Sequence, residues 1–189
     1  MSFTKYCEIT SSENDGILEK LRFFDAKYGG LKWAVQNKID GCNLQVCVEN
    51  DGTIRVGSRS NFLGDASTFY NFDKALERDG IKEKAKEFKR RMVSLTGKPC
   101  DVVFYGELAG GMYRNKTVAQ IPNMKKIQGR ISYAPFVFWT CFDIAIVEED
   151  NVVWLTPDTV EKICNELDIP FVGNLAILPL EEALAYNTD

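Results

Sequence analysis

The chain contains no histidine. That absence excludes Ser-His-Asp and Cys-His catalysis, and any metal site built on imidazole. Chemistry is left to Lys, Arg, Asp, Glu, Tyr, Ser or Cys. None of the six cysteines forms a C-x-x-C pair. Several stand in apolar, strand-like surroundings, where a thiol behaves as a small hydrophobe. They read as reduced core thiols and imply an intracellular protein. No apolar run reaches the roughly 20 residues of a transmembrane helix. The N-terminus lacks the apolar core of a signal peptide. Acidic Glu8, Glu13 and Asp15 precede the first arginine, Arg22, which argues against a transit peptide. Repeats, low-complexity tracts and obvious linkers are also missing. The net charge of −4 is mild, so any nucleic-acid surface must be a local patch.

What is present fits one well-buried domain over residues 1–189. Residues 16–28 have helical spacing, with Ile17, Leu18, Leu21 and Phe24 on one face. Residues 33–39 read as a strand. Residues 43–50 alternate, and Asn50-Asp51-Gly52 turns them into Ile54-Arg55-Val56, a hairpin signal. Helices are expected over 66–79 and 80–95, broken near Asp79-Gly80, and strands over 101–108 and 135–147. Asp150-Asn151 turns into Val152-Val153-Trp154. Thr156-Pro157-Asp158 starts a helix that runs to about Leu167. A short strand, 176–178, and a terminal helix, 180–186, close the chain. Hairpin-paired strands with interspersed helices predict an α+β fold with mostly antiparallel sheets.

Four residues, expected on successive strands, suit an attack on a nucleotide phosphate. Lys38 stands in Lys38-Ile39-Asp40-Gly41, Arg59 in Gly57-Ser58-Arg59, Glu107 in Phe104-Tyr105-Gly106-Glu107-Leu108, and Phe142 in Phe142-Asp143-Ile144. An amine attacks only when unprotonated, so a nucleophilic lysine needs its pKa lowered by about three units from near 10.4. A cleft with a second cation such as Arg59 would do that; the plain alternative is a surface lysine before an Asp-Gly turn. A carboxylate in an apolar strand is costly unless paired. Glu107 therefore suits a ribose hydroxyl, a divalent cation or a structural salt bridge. Phe142 suits base stacking, worth about 1–3 kcal/mol, or core packing.

The order and spacing resemble the covalent nucleotidyltransferases, the ATP-dependent ligases and mRNA capping enzymes, and most of all the RNA ligase 2 type of phage T4 and the trypanosome editing ligases. The resemblance begins at Phe3-Thr4-Lys5-Tyr6 and includes Lys38-Ile39-Asp40-Gly41-Cys42-Asn43, Gly57-Ser58-Arg59, Phe104-Tyr105-Gly106-Glu107-Leu108-Ala109-Gly110 and Phe138-Trp139-Thr140-Cys141-Phe142-Asp143-Ile144. It extends to the helix at Leu180–Tyr186, and so spans nearly the whole chain. It implies a nucleotidyltransferase core and an ATP-dependent RNA ligase that seals RNA 5′-phosphate and 3′-hydroxyl ends. Lys38 would carry AMP, with magnesium or manganese neutralising phosphates. Asn37, Ile39, Asp40, Gly41, Asn43, Arg59, Glu107 and Phe142 would line the nucleotide site; Asn43 would help orient RNA ends, and Glu107 is the one possible metal contact.

Two departures from the family pattern stand out. Asp40 occupies a position where the phage type often has histidine. Two later motifs of the superfamily, an E-G-x-x strand and a K-x-K strand, are missing: no Glu-Gly pair occurs, and the last lysine is Lys162. The core is expected to be incomplete at its C-terminus, either as part of a longer ligase or as a short relative. On its own it should self-adenylylate poorly, since the lysines that stabilise charge at the α-phosphate are absent. A longer chain or a partner would then supply the missing segment.

From Met112 through Phe142 there is no Asp or Glu, while Arg114, Lys116, Lys125, Lys126 and Arg130 are interleaved with Tyr113 and Tyr133. This segment is a candidate RNA-phosphate surface. A second basic run, Lys82, Lys84, Lys86, Lys89, Arg90 and Arg91, is diluted by Glu83 and Glu87 and reads as a solvated helix face. Three other readings remain: a binding module without catalysis, a DNA-ligase or capping-enzyme relative, and a structural protein with an empty pocket.

Overall fold

The computed structural model describes residues 2–8, 10–11, 14–64, 68–149 and 151–187. The chain divides into two compact units: Met1–Lys5 with Lys38–Val172, and Tyr6–Asn37 with Gly173–Asp189.

The larger unit is built on a five-stranded antiparallel sheet of β2 (Cys42–Val48), β3 (Ile54–Gly57), β4 (Asp101–Gly110), β5 (Val137–Glu148) and β6 (Asn151–Trp154), ordered β3-β2-β4-β5-β6. The expected hairpin joins β2 to β3, with Gly52 at φ 88° in the turn. β6 starts at Asn151, and Asp150 lies outside the described residues.

Register divides the sheet into two faces. Leu44, Val46 and Val48 pair with Gly106, Phe104 and Val102, and Phe104 and Val102 pair with Ile144 and Ile146. This face packs on α2 (Phe72–Arg78), α3 (Ile81–Thr96) and α4 (Pro157–Glu166), through Phe72, Leu76, Phe88, Val160 and Cys164 among others. Each fully buried aliphatic or aromatic side chain there contributes about 1.5–3 kcal/mol. The opposite face carries Asn43, Gln45 and Cys47 against Glu107, Tyr105 and Val103. Its middle is closed by the N-terminal segment, where the buried Tyr105 hydroxyl donates to the Thr4 carbonyl at 2.9 Å.

Gly106 is dictated by packing. The Trp139 indole lies across it and donates from Nε1 to the Leu44 carbonyl at 2.9 Å, fully buried. A Cβ at Gly106 would overlap the indole ring.

The smaller unit pairs β1 (Trp33–Gln36) antiparallel with β7 (Asn174–Leu178) and adds α1 (Asp15–Lys27) and α5 (Leu180–Leu184). Asn14 caps α1, accepting from the Ile17 N–H. Asp25 accepts from the Trp33 indole and the Leu31 N–H, and Arg22 forms a fork to Glu181.

Three expectations are corrected in detail. The first strand ends at Gln36, so Asn37, Lys38 and Ile39 lie beyond it. The helix expected over 66–79 is shorter. Residues 66 and 67 lie outside the described residues, and the rest of the span forms one 3-10 turn (Phe69–Asn71) and then α2. Within that turn Tyr70 and Asn71 have positive φ. The core thiols number four, Cys47, Cys100, Cys141 and Cys164, while Cys42 is half-buried and Cys7 exposed; all six are free. Among the described residues no helix is long and apolar enough to cross a membrane.

Gly106→Ala should cost about 3 kcal/mol, near the top of the usual range for overpacking, because neither the indole nor β2 can retreat. Urea unfolding with an unchanged m-value measures it; wild-type stability would contradict the packing described.

Candidate nucleotide-binding site

Lys38 sits in the irregular stretch between β1 and β2, exposed. The sequence pattern predicts it on a strand inside a cleft; the structure puts it on a loop, because extended pairing stops at Gln36. The loop is held by side chains from elsewhere. Glu107 on β4 accepts the Gly41 N–H at 3.1 Å. The Tyr133 hydroxyl accepts the Asp40 N–H at 2.9 Å, and the Gln128 side-chain amide donates to the Gly41 carbonyl at 3.0 Å. Gly41 itself has no room for a side chain, since a Cβ would run into the Leu108 carbonyl oxygen.

Glu107 is the electrostatic focus of the site. Burial pushes its carboxyl up to about 7; the Gly41 N–H and then the Lys38 ammonium pull the other way, and Asp40 adds to the rise. The carboxyl is therefore poised between accepting and donating near neutrality. Its cross-strand neighbours are Asn43 on β2 and Thr140 on β5. The adjacent Cys42 thiol is pushed up to about 12, by burial first and the Glu107 charge second. It stays protonated, which makes it a poor nucleophile.

Phe142 occupies a β-bulge. Tyr105 pairs with Asp143 and Gly106 with Cys141, so Phe142 is the extra residue of β5. The insertion keeps both Ile144 and Cys141 in the core and leaves Phe142 half-buried, outside the core cluster. Bulges re-aim side chains in this way. On its outer side Cys141 is fastened to the 170–172 segment, donating to the Pro170 carbonyl at 2.7 Å and accepting from the Val172 N–H at 3.0 Å. Arg59 is exposed in the turn after β3, where Ser58 N–H donates to the Asn61 carbonyl at 2.9 Å.

Lys38, Asp40, Gly41, Asn43 and Glu107 thus come together. Arg59 lies in the turn after β3, the strand next to β2, and Phe142 lies on β5, the strand next to β4. Ile39 is half-buried beside Lys38, and exposed Asn37 belongs to the smaller unit. Among the described residues no group of three or more His, Cys, Asp or Glu could hold a metal ion.

The segment after β4 runs irregularly from Gly111 to Phe136, and all five of its candidate cations are exposed. Two of them are engaged within the protein. The Arg114 guanidinium donates to the Gly129 carbonyl, and Lys125 Nζ reaches the Thr68 carbonyl and hydroxyl at 3.4 and 3.3 Å. Lys116, Lys126 and Arg130 are the candidates more open to a partner. The basic helix α3 is largely paired: Lys86 with Glu83, Arg90 and Arg91 with Glu87, Lys84 with Asp168. Lys89 is buried on the Asn50 carbonyl. What sequence reasoning missed is the hold of Tyr133 and Gln128 on the lysine loop. The available signal was an irregular stretch of this length inside a domain, which is uncommon without a task.

The RNA ligase family model matches residues 31–187. The chain belongs to the RNA ligase family. Among solved structures, Naegleria gruberi RNA ligase mutants are similar. One with AMP and Mn has a TM-score of 0.59 at 20% identity, covering 86% of this chain and 42% of that one. One with ATP and Mn has a TM-score of 0.60 at 20% identity, covering 93% and 45%. An archaeal ATP-dependent RNA ligase has a TM-score of 0.51 at 19% identity, covering 82% and 34%. The chain thus spans less than half the length of these relatives, and the likeness shows a shared α+β fold. No match was found among curated proteins.

Glu107 makes stability pH-dependent. Its folded value, about 7, lies above the ordinary 4.5. Between those limits the folded state holds a proton that the unfolded state has lost. The group's contribution is therefore full below the lower value and is lost as pH rises through the upper one. With no histidine in the chain, few other groups titrate there. Wild type should lose on the order of 1–2 kcal/mol between about pH 5 and 8, discounted for partial exposure, and Glu107→Gln should not. Parallel thermal-unfolding profiles for the two proteins would contradict this.

Proposed function

We propose that this chain is the nucleotidyl-transferring core of an ATP-dependent RNA ligase. Lys38 Nζ attacks the α-phosphorus of ATP. A nitrogen–phosphorus bond forms, the bond to the bridging oxygen breaks, pyrophosphate leaves and the amine gives up its proton. The AMP then passes to an RNA 5′-phosphate oxygen, restoring Lys38. A 3′-hydroxyl finally attacks that 5′-phosphate and releases AMP. The observation that carries this reading is the convergence of Lys38, the Gly41 N–H and Glu107 within a chain that belongs to the RNA ligase family.

The remaining roles are those that the resemblance implies. Phe142, on its bulge, stacks on the adenine; Arg59, Asn43 and Glu107 hold ribose, phosphate and RNA ends; Asn37, Ile39 and Asp40 shape the loop around Lys38. Magnesium or manganese would supply charge neutralisation at the phosphates. Glu107 would be the one possible protein contact of such an ion, with phosphate oxygens and water completing its shell. Lys116, Lys126 and Arg130 lead the RNA surface, with Arg114 and Lys125 behind them.

A second reading is a relative that binds nucleotide or RNA without ligating. It is favoured by the setting of Lys38, which is exposed on a loop rather than enclosed in a cleft.

Intact mass after incubation with ATP and manganese separates the two. The proposal expects a gain of one AMP in wild type and none in Lys38→Ala. An adduct that survives in Lys38→Ala removes Lys38 from its role. A folded wild type that binds ATP yet gains no AMP selects the binding-only reading.

A further inference from the structure

The acid-free segment and the lysine loop are joined by side-chain bonds that no general feature of a basic surface requires. Tyr133 reaches the Asp40 N–H, and five residues earlier Gln128 reaches the Gly41 carbonyl. Tyr133 is braced in turn by an edge-to-face contact with Phe138 on β5, ring centres 6.0 Å apart. The segment is also tied to the sheet, since Gly111 N–H donates to the Phe136 carbonyl at 3.0 Å and Ile127 N–H to the Gly110 carbonyl at 3.2 Å. Its exposed Lys126 and Arg130 lie within three residues of Gln128 and Tyr133. A phosphate chain bound by those cations would act on the backbone that carries the two contacts.

We propose that Tyr133 is a positioning residue for Lys38. Together with Gln128 it couples the acid-free segment to the Asp40-Gly41 backbone, so that RNA engaging the segment sets the conformation of the lysine loop. This rests on the RNA-binding role proposed above. Asp40 and Gly41 come two and three residues after Lys38, so a displacement of either peptide swings the amine. Misplacement of reacting groups by about 1 Å can cost a hundredfold in rate. The tyrosine hydroxyl accepts the Asp40 N–H and keeps its own proton to donate.

The Asp40 amide is a direct reporter, and it can be read by hydrogen exchange without any turnover. In Tyr133→Phe it should exchange about fivefold faster than in wild type, the factor set by one ordinary hydrogen bond, with an unchanged melting temperature. Gln128→Ala should speed the same amide to a smaller extent. Saturation with a 5′-phosphorylated single-stranded RNA oligonucleotide, followed by fluorescence anisotropy, should slow that amide in wild type. It should leave it unchanged in Tyr133→Phe at equal RNA affinity. Wild-type exchange in Tyr133→Phe overturns the clamp. RNA that binds wild type without slowing the Asp40 amide overturns the coupling. Failure of RNA to bind at all overturns the RNA surface and the coupling with it, while the Tyr133→Phe exchange ratio still decides the clamp.

Discussion

The hydrogen bond from the Gly41 N–H to Glu107 fixes the irregular loop that carries Lys38 to strand β4. Lys38 lies beyond the end of β1, where no ladder holds it. Its position is inherited from Asp40 and Gly41, and theirs from three side chains on two other parts of the fold. Glu107 is the one anchored in the sheet, and it is also the most perturbed carboxyl beside the lysine. The same burial that raises its pKa lowers the local dielectric, so the charges of Lys38 and Asp40 are felt strongly at this point. Gly41 is needed because this approach leaves no space for a Cβ.

The antiparallel sheet makes this arrangement possible by dividing its labour between two faces. Helices α2, α3 and α4 cover one face and supply the apolar burial. Polar groups can then stand on the other face at the cost of only local desolvation. Gly106 and Trp139 show how tightly the covered face is packed: the indole fills the space of a missing side chain and satisfies its N–H on β2. Directly across from Gly106, β5 departs from regular pairing, and Phe142 is the residue set outside the core.

Much of this was legible in the sequence because it depends on local chemistry. The Asn50-Asp51-Gly52 turn, the alternation from Leu44 to Val48 and the apolar runs around Glu107 and Phe142 each specify a strand without reference to distant residues. The pairing of α3's basic residues comes from the i, i+3 and i, i+4 spacing around Glu83 and Glu87. Other features depend on partners far along the chain. Trp33 to Gln36 pair with residues 174–178, and nothing local says that pairing stops before Lys38. Tyr133 and Gln128 meet Asp40 and Gly41 across 93 and 87 residues. The bulge at Phe142 appears only once the registers of β4 and β5 are known, since a run of apolar residues reads the same with or without an insertion.

In the proposed function this face of the sheet is a nucleotide site with Phe142 as the base platform and Glu107 beside Lys38. Calorimetric titration with ATP and manganese tests it most directly, on wild type and on Phe142→Ala. Binding should be saturable and one-site in wild type and about tenfold weaker in Phe142→Ala, equivalent to the loss of one base–aromatic stack. Equal affinity in both proteins, or no saturable binding in wild type, would contradict it.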